Sequence, residues 1–218
     1  MDKEEEKEKT FSADSSQPLK MAVFPRPVLM KLKVKKLSEK ALMPKFAHDG
    51  DACFDLSVII DSDHPPMIVG YDGKFHDLVR DNHRIIGYES EHGFKYAFGY
   101  DLEDGRVTLE SGCSVVLHTG LKCETERGYN MKVHVRSSTG IKKHLMLSNG
   151  TGVIDTALYR GEILIGITNV GRYNAVISDG ERVAQAEIVK TLDVEIEEVD
   201  ELTDTVRGEG GFGSTGGH

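Results

Sequence analysis

Four short segments hold residue types suited to gripping an anion and moving a proton. In VRSSTG, Val135 to Gly140, an arginine is followed by the hydroxyls of Ser137 and Ser138 and a glycine, between a strand-like run and a short helical one. Arg136 can fork onto a phosphate, and the hydroxyls and a following helix N-terminus can add neutral donors. The same residues would also serve as a plain N-capped helix start. In GVIDTALYRGEI, Gly152 to Ile163, Asp155 sits beside an apolar strand and Tyr159 follows it four residues later. A carboxylate there can take a proton from water and a tyrosine ring can pack on a sugar or base, although a turn aspartate and a core tyrosine would look alike. GERVAQAEIV, Gly180 to Val189, enters a strand whose Arg182 and Gln185 face either solvent or a ligand. RGEGGFGSTG, Arg207 to Gly216, places Phe212 among glycines and hydroxyls behind an arginine. That is the make-up of a mobile loop that stacks on a base and grips a phosphate.

Such segments need a rigid scaffold. From Lys31 (KLKVKKL) to about residue 200 the chain is a succession of short β-like runs, including CFDLSVII, SVVLHTGLKC, NMKVHVR, EILIGITNV, RVAQAEIV and DVEIEEV. Glycine, Asn and Asp separate them as in a sandwich or barrel, so the expected domain is all-β. One short helix is expected near Ile141 to Leu147 (IKKHLML). Residues 1–30 show no apolar period and read as a disordered arm. The acidic stretch 193–204, with seven acids and no base, reads as a solvated connector to the glycine-rich tail 201–218.

With 218 residues the chain can bury a core without staples. Its 39% hydrophobic and 29% charged content is globular, and no apolar run is long enough to cross a bilayer. The start, MDKEEEKEKT, lacks the apolar region of a signal peptide, so a cytoplasmic protein is expected. A net charge of -9 argues against direct nucleic-acid binding, so an anionic ligand must be held by local groups. Cys53, Cys113 and Cys123 fit reduced, small core residues, with no zinc spacing.

Together with DGDACFDL at Asp49 to Leu56, the four segments stand in the order of the five motifs of the trimeric dUTP nucleotidohydrolase (dUTPase) family. The chain resembles that family over about residues 31 to 216, apart from an insertion at about 61–105. The resemblance implies a jelly-roll β-barrel that forms a homotrimer with exchanged C-terminal arms, each arm closing a neighbour's site. It implies hydrolysis of dUTP to dUMP and pyrophosphate with Mg²⁺ across the triphosphate, which limits uracil incorporation into DNA and supplies dUMP for thymidylate synthesis. Asp155 matches the catalytic aspartate that directs water at the α-phosphorus, and Asp55 the aspartate near the metal, acting through water. Arg136, Ser137, Ser138 and Gln185 match phosphate contacts, with Arg182 in support. Asn149 matches the uracil-reading hairpin and Tyr159 the tyrosine under the deoxyribose, one residue further from the aspartate than is usual in the family. Phe212 would stack on uracil, while Arg207, Gly213, Ser214 and Thr215 would close on the γ-phosphate.

Two other readings share these residues. A dCTP deaminase of the same superfamily also has an R-S-S segment, but its glutamate would fall near Gly166. A regulatory binding protein on the same scaffold would use the insertion to recruit a protein partner. Asp55 and Arg136 stand 81 positions apart, and the added stretch is rich in His and in Phe75, Tyr88, Phe94, Tyr96, Phe98 and Tyr100, which suggests a self-packed hairpin around Gly87 to Tyr100.

Overall fold

The computed structural model describes residues 30–70, 72–81, 86–97, 99–103 and 105–210. The expected arm at 1–29 and the tail residues Phe212, Gly213, Ser214 and Thr215 lie outside the described residues. Among the described residues the chain forms β1 (Lys33–Lys36), β2 (Lys45–Phe46), β3 (Phe54–Ser57), β4 (Met67–Val69), β5 (Phe75–Asp77) and β6 (Val79–Arg80). Next come β7 (Ile86–Ser90), β8 (Gly93–Tyr96), β9 (Tyr100–Glu103), β10 (Arg106–Leu109), β11 (Ser114–His118) and β12 (Leu121–Glu124). The rest are β13 (Tyr129–Val135), α1 (Ser137–Lys143), β14 (Leu145–Leu147), β15 (Gly152–Ile154), β16 (Leu164–Asn169), β17 (Ala175–Ser178) and β18 (Arg182–Lys190). The result is an all-β jelly-roll with one short helix. No helix is long and apolar enough among these residues to cross a membrane.

Two five-stranded sheets carry most of the core, ordered β14-β16-β11-β4-β5 and β15-β13-β18-β3-β2. Their strands alternate as the pleat requires. In β11 Val115 and Leu117 are buried, and in β16 Ile165 and Ile167 meet them from the neighbouring strand. β18 departs from strict alternation: Arg182 pairs with Ser57 but Ala184 with Leu56. This bulge turns both Val183 and Ala184 into the core and leaves Arg182 outside. Among the described residues Thr119 donates to Ile163 O at 2.6 Å, Thr125 and Thr156 share a hydrogen bond at 2.7 Å, and Asn169 donates to Leu109 O at 2.9 Å, whereas the buried Asn130 Oδ1 has no hydrogen-bond partner.

The helix begins earlier than IKKHLML suggested. It spans Ser137–Lys143 and stops at His144, which sits in the left-handed region at φ 53°. Leu145 and Leu147 then face inward with Met146 outside, a period of two that had been read as a helical one. DVEIEEV is also no strand here; residues 193–199 run exposed without a pairing partner among the described residues. Of the cysteines only Cys123 is buried, and Cys53 and Cys113 are half-buried.

The 61–105 stretch is sewn onto the barrel. β4 pairs with β11 through Met67 and Val116, and β9 lies along β10. β7 and β8 form the expected hairpin, where the Phe94 ring lies against Gly87 so closely that a Cβ would not fit. The aromatics do not form one cluster: Tyr88 is buried against His76, with ring centroids 4.7 Å apart, while Phe75 and Tyr96 are exposed.

Candidate functional site

The expected site residues gather at two ends of one sheet. At the first end, Asp55 on β3 accepts hydrogen bonds from Arg136 Nε at 2.6 Å and from Arg182 Nη1 at 3.0 Å. Its side chain is only 10% exposed, so both guanidinium groups are held by a largely desolvated carboxylate. Arg136 follows β13 in an extended conformation as the cap residue of α1, with no side-chain capping bond. Its Nη1 reaches Arg182 O at 3.3 Å and Ser138 Oγ at 3.4 Å. Ser138 therefore sits beside the arginine, on the first turn of the helix. Gln185 lies directly across from Asp55 on one side and His134 on the other, which puts the three on one face.

A cavity of about 350 Å³ opens here, lined by Arg136, Ser138, Thr139, Lys142, Lys143 and Arg182 among others. Lys143 is spent on Glu181 at 2.5 Å and Val176 O at 2.8 Å. Four cations therefore face two carboxylates, a surplus suited to an anion. Lys142 was not anticipated. It follows Ser138 by one helical turn, a signal visible only once the helix start is placed at Ser137.

At the second end, Asp155 follows β15 and its side chain is exposed. Its carbonyl accepts the N–H groups of Leu158 at 2.8 Å and Tyr159 at 2.7 Å, so residues 155–159 form a single helical turn. The turn is anchored from below. Thr156 is buried, and Arg160 donates to the carbonyls of Thr156, Ala157 and Tyr159 at 3.0 Å each while pairing with Glu124. Glu162 closes the segment by pairing with His118 at 3.0 Å and accepting Gly120 N–H at 2.7 Å. Burial pushes its carboxyl up, but these hydrogen bonds outweigh burial and hold it below its ordinary value.

Asn149 lies exposed in the turn between β14 and β15, where its carbonyl accepts Thr151 N–H at 2.8 Å. Gly150 takes φ +72° there, a conformation that glycine adopts without strain. Asp155 lines a cavity of about 460 Å³ together with Arg127, Tyr129, Asn130 and Leu158. Arg207 stands in an exposed turn, donating to Gly210 O at 2.9 Å.

The two ends are far apart. Ile154, next to Asp155, pairs with Met131 near the start of β13, whereas Arg136 follows that strand's last residue. At about 3.3 Å per residue the separation along β13 is about 20 Å. The structure thus joins Asp55, Arg136, Ser138 and Gln185, and separately Asp155 and its turn, but does not bring the two groups together within one chain. No group of three or more His, Cys, Asp or Glu side chains is placed to hold a metal among the described residues.

The fold and site thus define an all-β jelly-roll with an exposed aspartate and a basic cradle at opposite ends of one sheet. A family model described as dUTPase matches residues 91–216. Deoxyuridine 5'-triphosphate nucleotidohydrolases of Crocosphaera subtropica and Clostridium novyi are 30% and 32% identical, each alignment covering 86% of this chain and 99% of the relative. Among solved structures, the dUTPase of Staphylococcus bacteriophage 80alpha with dUPNHPP aligns with a TM-score of 0.59 at 25% identity, covering 85% of this chain and 98% of that one. The chain belongs to the dUTPase family.

Proposed function

We propose that this chain hydrolyses dUTP to dUMP and pyrophosphate at sites shared between the subunits of a homotrimer. Family membership supports the reaction, and the separation of Asp155 from Arg136 carries the sharing. A triphosphate is much shorter than 20 Å, so one chain cannot place its own Asp155 at the α-phosphorus that its own Arg136 helps to hold.

In this reading Asp155 orients a water and accepts its proton as the water oxygen bonds to the α-phosphorus and the bond to the pyrophosphate oxygen breaks. Positioning and charge neutralisation carry most of the rate, with the base adding about 10²–10⁴-fold. Arg136, Ser137, Ser138 and Gln185 hold phosphate oxygens, and Arg182 shares Asp55 with Arg136 and so fixes its orientation. Asn149 presents the hairpin whose backbone reads uracil. Mg²⁺ would ride on the triphosphate and keep several of its waters. When bound it would supply neutralisation of phosphate charge, and Asp55 would be the residue that holds it, through water.

Arm exchange has support along the chain. Val194 and Ile196 are 76% and 93% exposed and alternate with Asp193, Glu195 and Glu197. β1 pairs only with β12 among the described strands, and its Lys35 stands opposite Lys122. A connector from a second copy, laid along the open edge of β1, would set acids against these lysines and apolar residues against Val34. Arg207, Phe212, Gly213, Ser214 and Thr215 would then reach the neighbour's nucleotide, with Phe212 stacking on uracil for roughly 1–3 kcal/mol.

Deamination of dCTP lacks its glutamate. The place expected for it holds Gly166 on β16, and Glu162 is committed to His118 and Gly120. A partner surface on the insertion is a second reading. Val69 and Phe75 are opposite each other on β4 and the edge strand β5, each 59% exposed. Replacing both with lysine tests it, since an unchanged set of binding partners would remove the insertion from that role. The decisive assay for the hydrolase is pyrophosphate release with Mg²⁺ from each deoxynucleoside triphosphate in turn. Release from dUTP alone is expected, and ammonia from dCTP would overturn the assignment.

A further inference from the structure

Two histidines meet where the inserted stretch leaves the barrel, and neither lines the cavity of either half-site. His118 ends β11, and its carbonyl accepts Ile59 N–H at 2.8 Å. Just beyond Ile59 the chain closes a tight turn, in which Asp61 Oδ1 accepts the N–H groups of Asp63 at 2.9 Å and His64 at 2.8 Å. The turn sets the His64 ring against that of His118, with centroids 5.7 Å apart and planes at 72°. Each ring is oriented by its own carboxylate: His64 Nδ1 lies 3.0 Å from Asp61 Oδ1, and His118 Nδ1 lies 3.0 Å from Glu162 Oε2. The second oxygens are engaged as well, Asp61 Oδ2 by Lys40 at 2.7 Å and Glu162 Oε1 by Gly120 N–H at 2.7 Å. An ionised carboxylate only accepts, so in each neutral ring Nδ1 carries the proton and Nε2 a lone pair.

We propose that His64 and His118 share one divalent transition-metal ion of the Zn²⁺ or Cu²⁺ class through their Nε2 atoms, with Asp61 and Glu162 as the positioning carboxylates behind them. A carboxylate on the far nitrogen is the usual support of a metal-bound imidazole. Two Nε2 atoms at about 2.0–2.1 Å from one ion place their ring centroids about 5–6 Å apart, the separation these rings already have. Asp61 and Glu162 against Lys40 leave one net negative charge beside the pair, which favours a cation. Imidazole selects Zn²⁺ or Cu²⁺ over Mg²⁺, which prefers oxygen. No third His, Cys, Asp or Glu among the described residues joins the group, so water completes the coordination. The ion would pin the turn of the inserted stretch to β11, independently of any nucleotide chemistry.

The test titrates the metal-free full chain with Zn²⁺ by calorimetry and, separately, adds Cu²⁺ below one equivalent and records its electron paramagnetic resonance. Nitrogen hyperfine structure from two imidazoles is expected in the unaltered protein, and from fewer in His64→Ala and His118→Ala. Each of these variants should weaken Zn²⁺ binding at least about tenfold, and Glu162→Gln about 10–100-fold, while His92→Ala, in the exposed β7–β8 turn, should leave it unchanged. Zn²⁺ at about a hundred times its dissociation constant should raise the melting temperature by about 5–10 °C, and this rise should vanish in His64→Ala. Should His118→Ala fail to fold, His64→Ala alone decides, since it alters only the turn. A two-imidazole signal and a Zn²⁺ affinity that persist in His64→Ala would place the ion elsewhere and overturn the assignment. Absence of binding by either ion would leave only an edge-to-face ring pair and overturn it too, without touching the hydrolase reading.

Discussion

If Asp155 and Arg136 of one chain serve different sites, two inactive variants should repair each other. Arg136→Ala removes the phosphate fork from every chain that carries it, and Asp155→Asn removes the base, each alone costing about 10²–10⁴-fold in kcat/KM. When the two variants are unfolded together in equal amounts and refolded, each site draws Arg136 from one chain and Asp155 from another. Both are intact with probability one half times one half, so about one quarter of the unaltered activity should return. A site in which one chain supplied both residues would stay inactive in every mixture. The assay is turnover of Mg-dUTP against mixing ratio, with sedimentation to show that the trimers form. The curve should peak near equal proportions and fall to the level of the single variants at both ends. A flat, inactive curve in fully assembled trimers would refute the 20 Å argument from β13.

Asp55→Asn should destabilise the fold by about 2–3 kcal/mol: it weakens one short charge-assisted bond to half-buried Arg136, while the more exposed Arg182 adds little. By calorimetry that is a Tm lower by about 4–12 °C, and a shift under about 1 °C would contradict the importance given to this carboxylate. Acid should loosen the protein at Asp61 and Glu162. Burial pushes both carboxyls up, but at Asp61 hydrogen bonds from Lys40 and His64, and at Glu162 from His118 and Gly120, hold them below their ordinary values. Their contribution is complete above the unfolded values near pH 4 and is lost as pH falls through the lower folded ones. Melting temperatures from pH 7 to 3 should drop more gently in Glu162→Gln, and identical slopes would count against it. Truncation after Val206 should abolish turnover and leave the trimer by sedimentation, whereas persistent turnover would contradict the closing arm.

The strand-rich plan was legible because alternation in runs such as SVVLH and RVAQAEIV is strong and local. The cradle was legible in part, since Arg136 and its serines are adjacent in sequence. What binds them was not: Asp55 and Arg182 are 127 residues apart, and only the bulge at Arg182–Ala184 points that arginine at the carboxylate. The helix was misplaced because Ile141 and Leu145 are four apart, a spacing that suits one helical face, while His144 in fact ends the helix between them. DVEIEEV alternates as a strand should, yet finds no partner within one chain among the described residues.

On the shared-site reading, the placement of the two half-sites at opposite ends of β13 also makes output depend on how much protein is present. A newly made chain that folds correctly would then have no working site, and its activity would begin only when copies meet. Below the concentration at which copies associate, turnover should fall more steeply than the amount of protein does. Dilution alone would act as an off switch, and in a cell holding equal amounts of sound and defective chains about half of the sites would keep both residues, whichever half-site the defect struck.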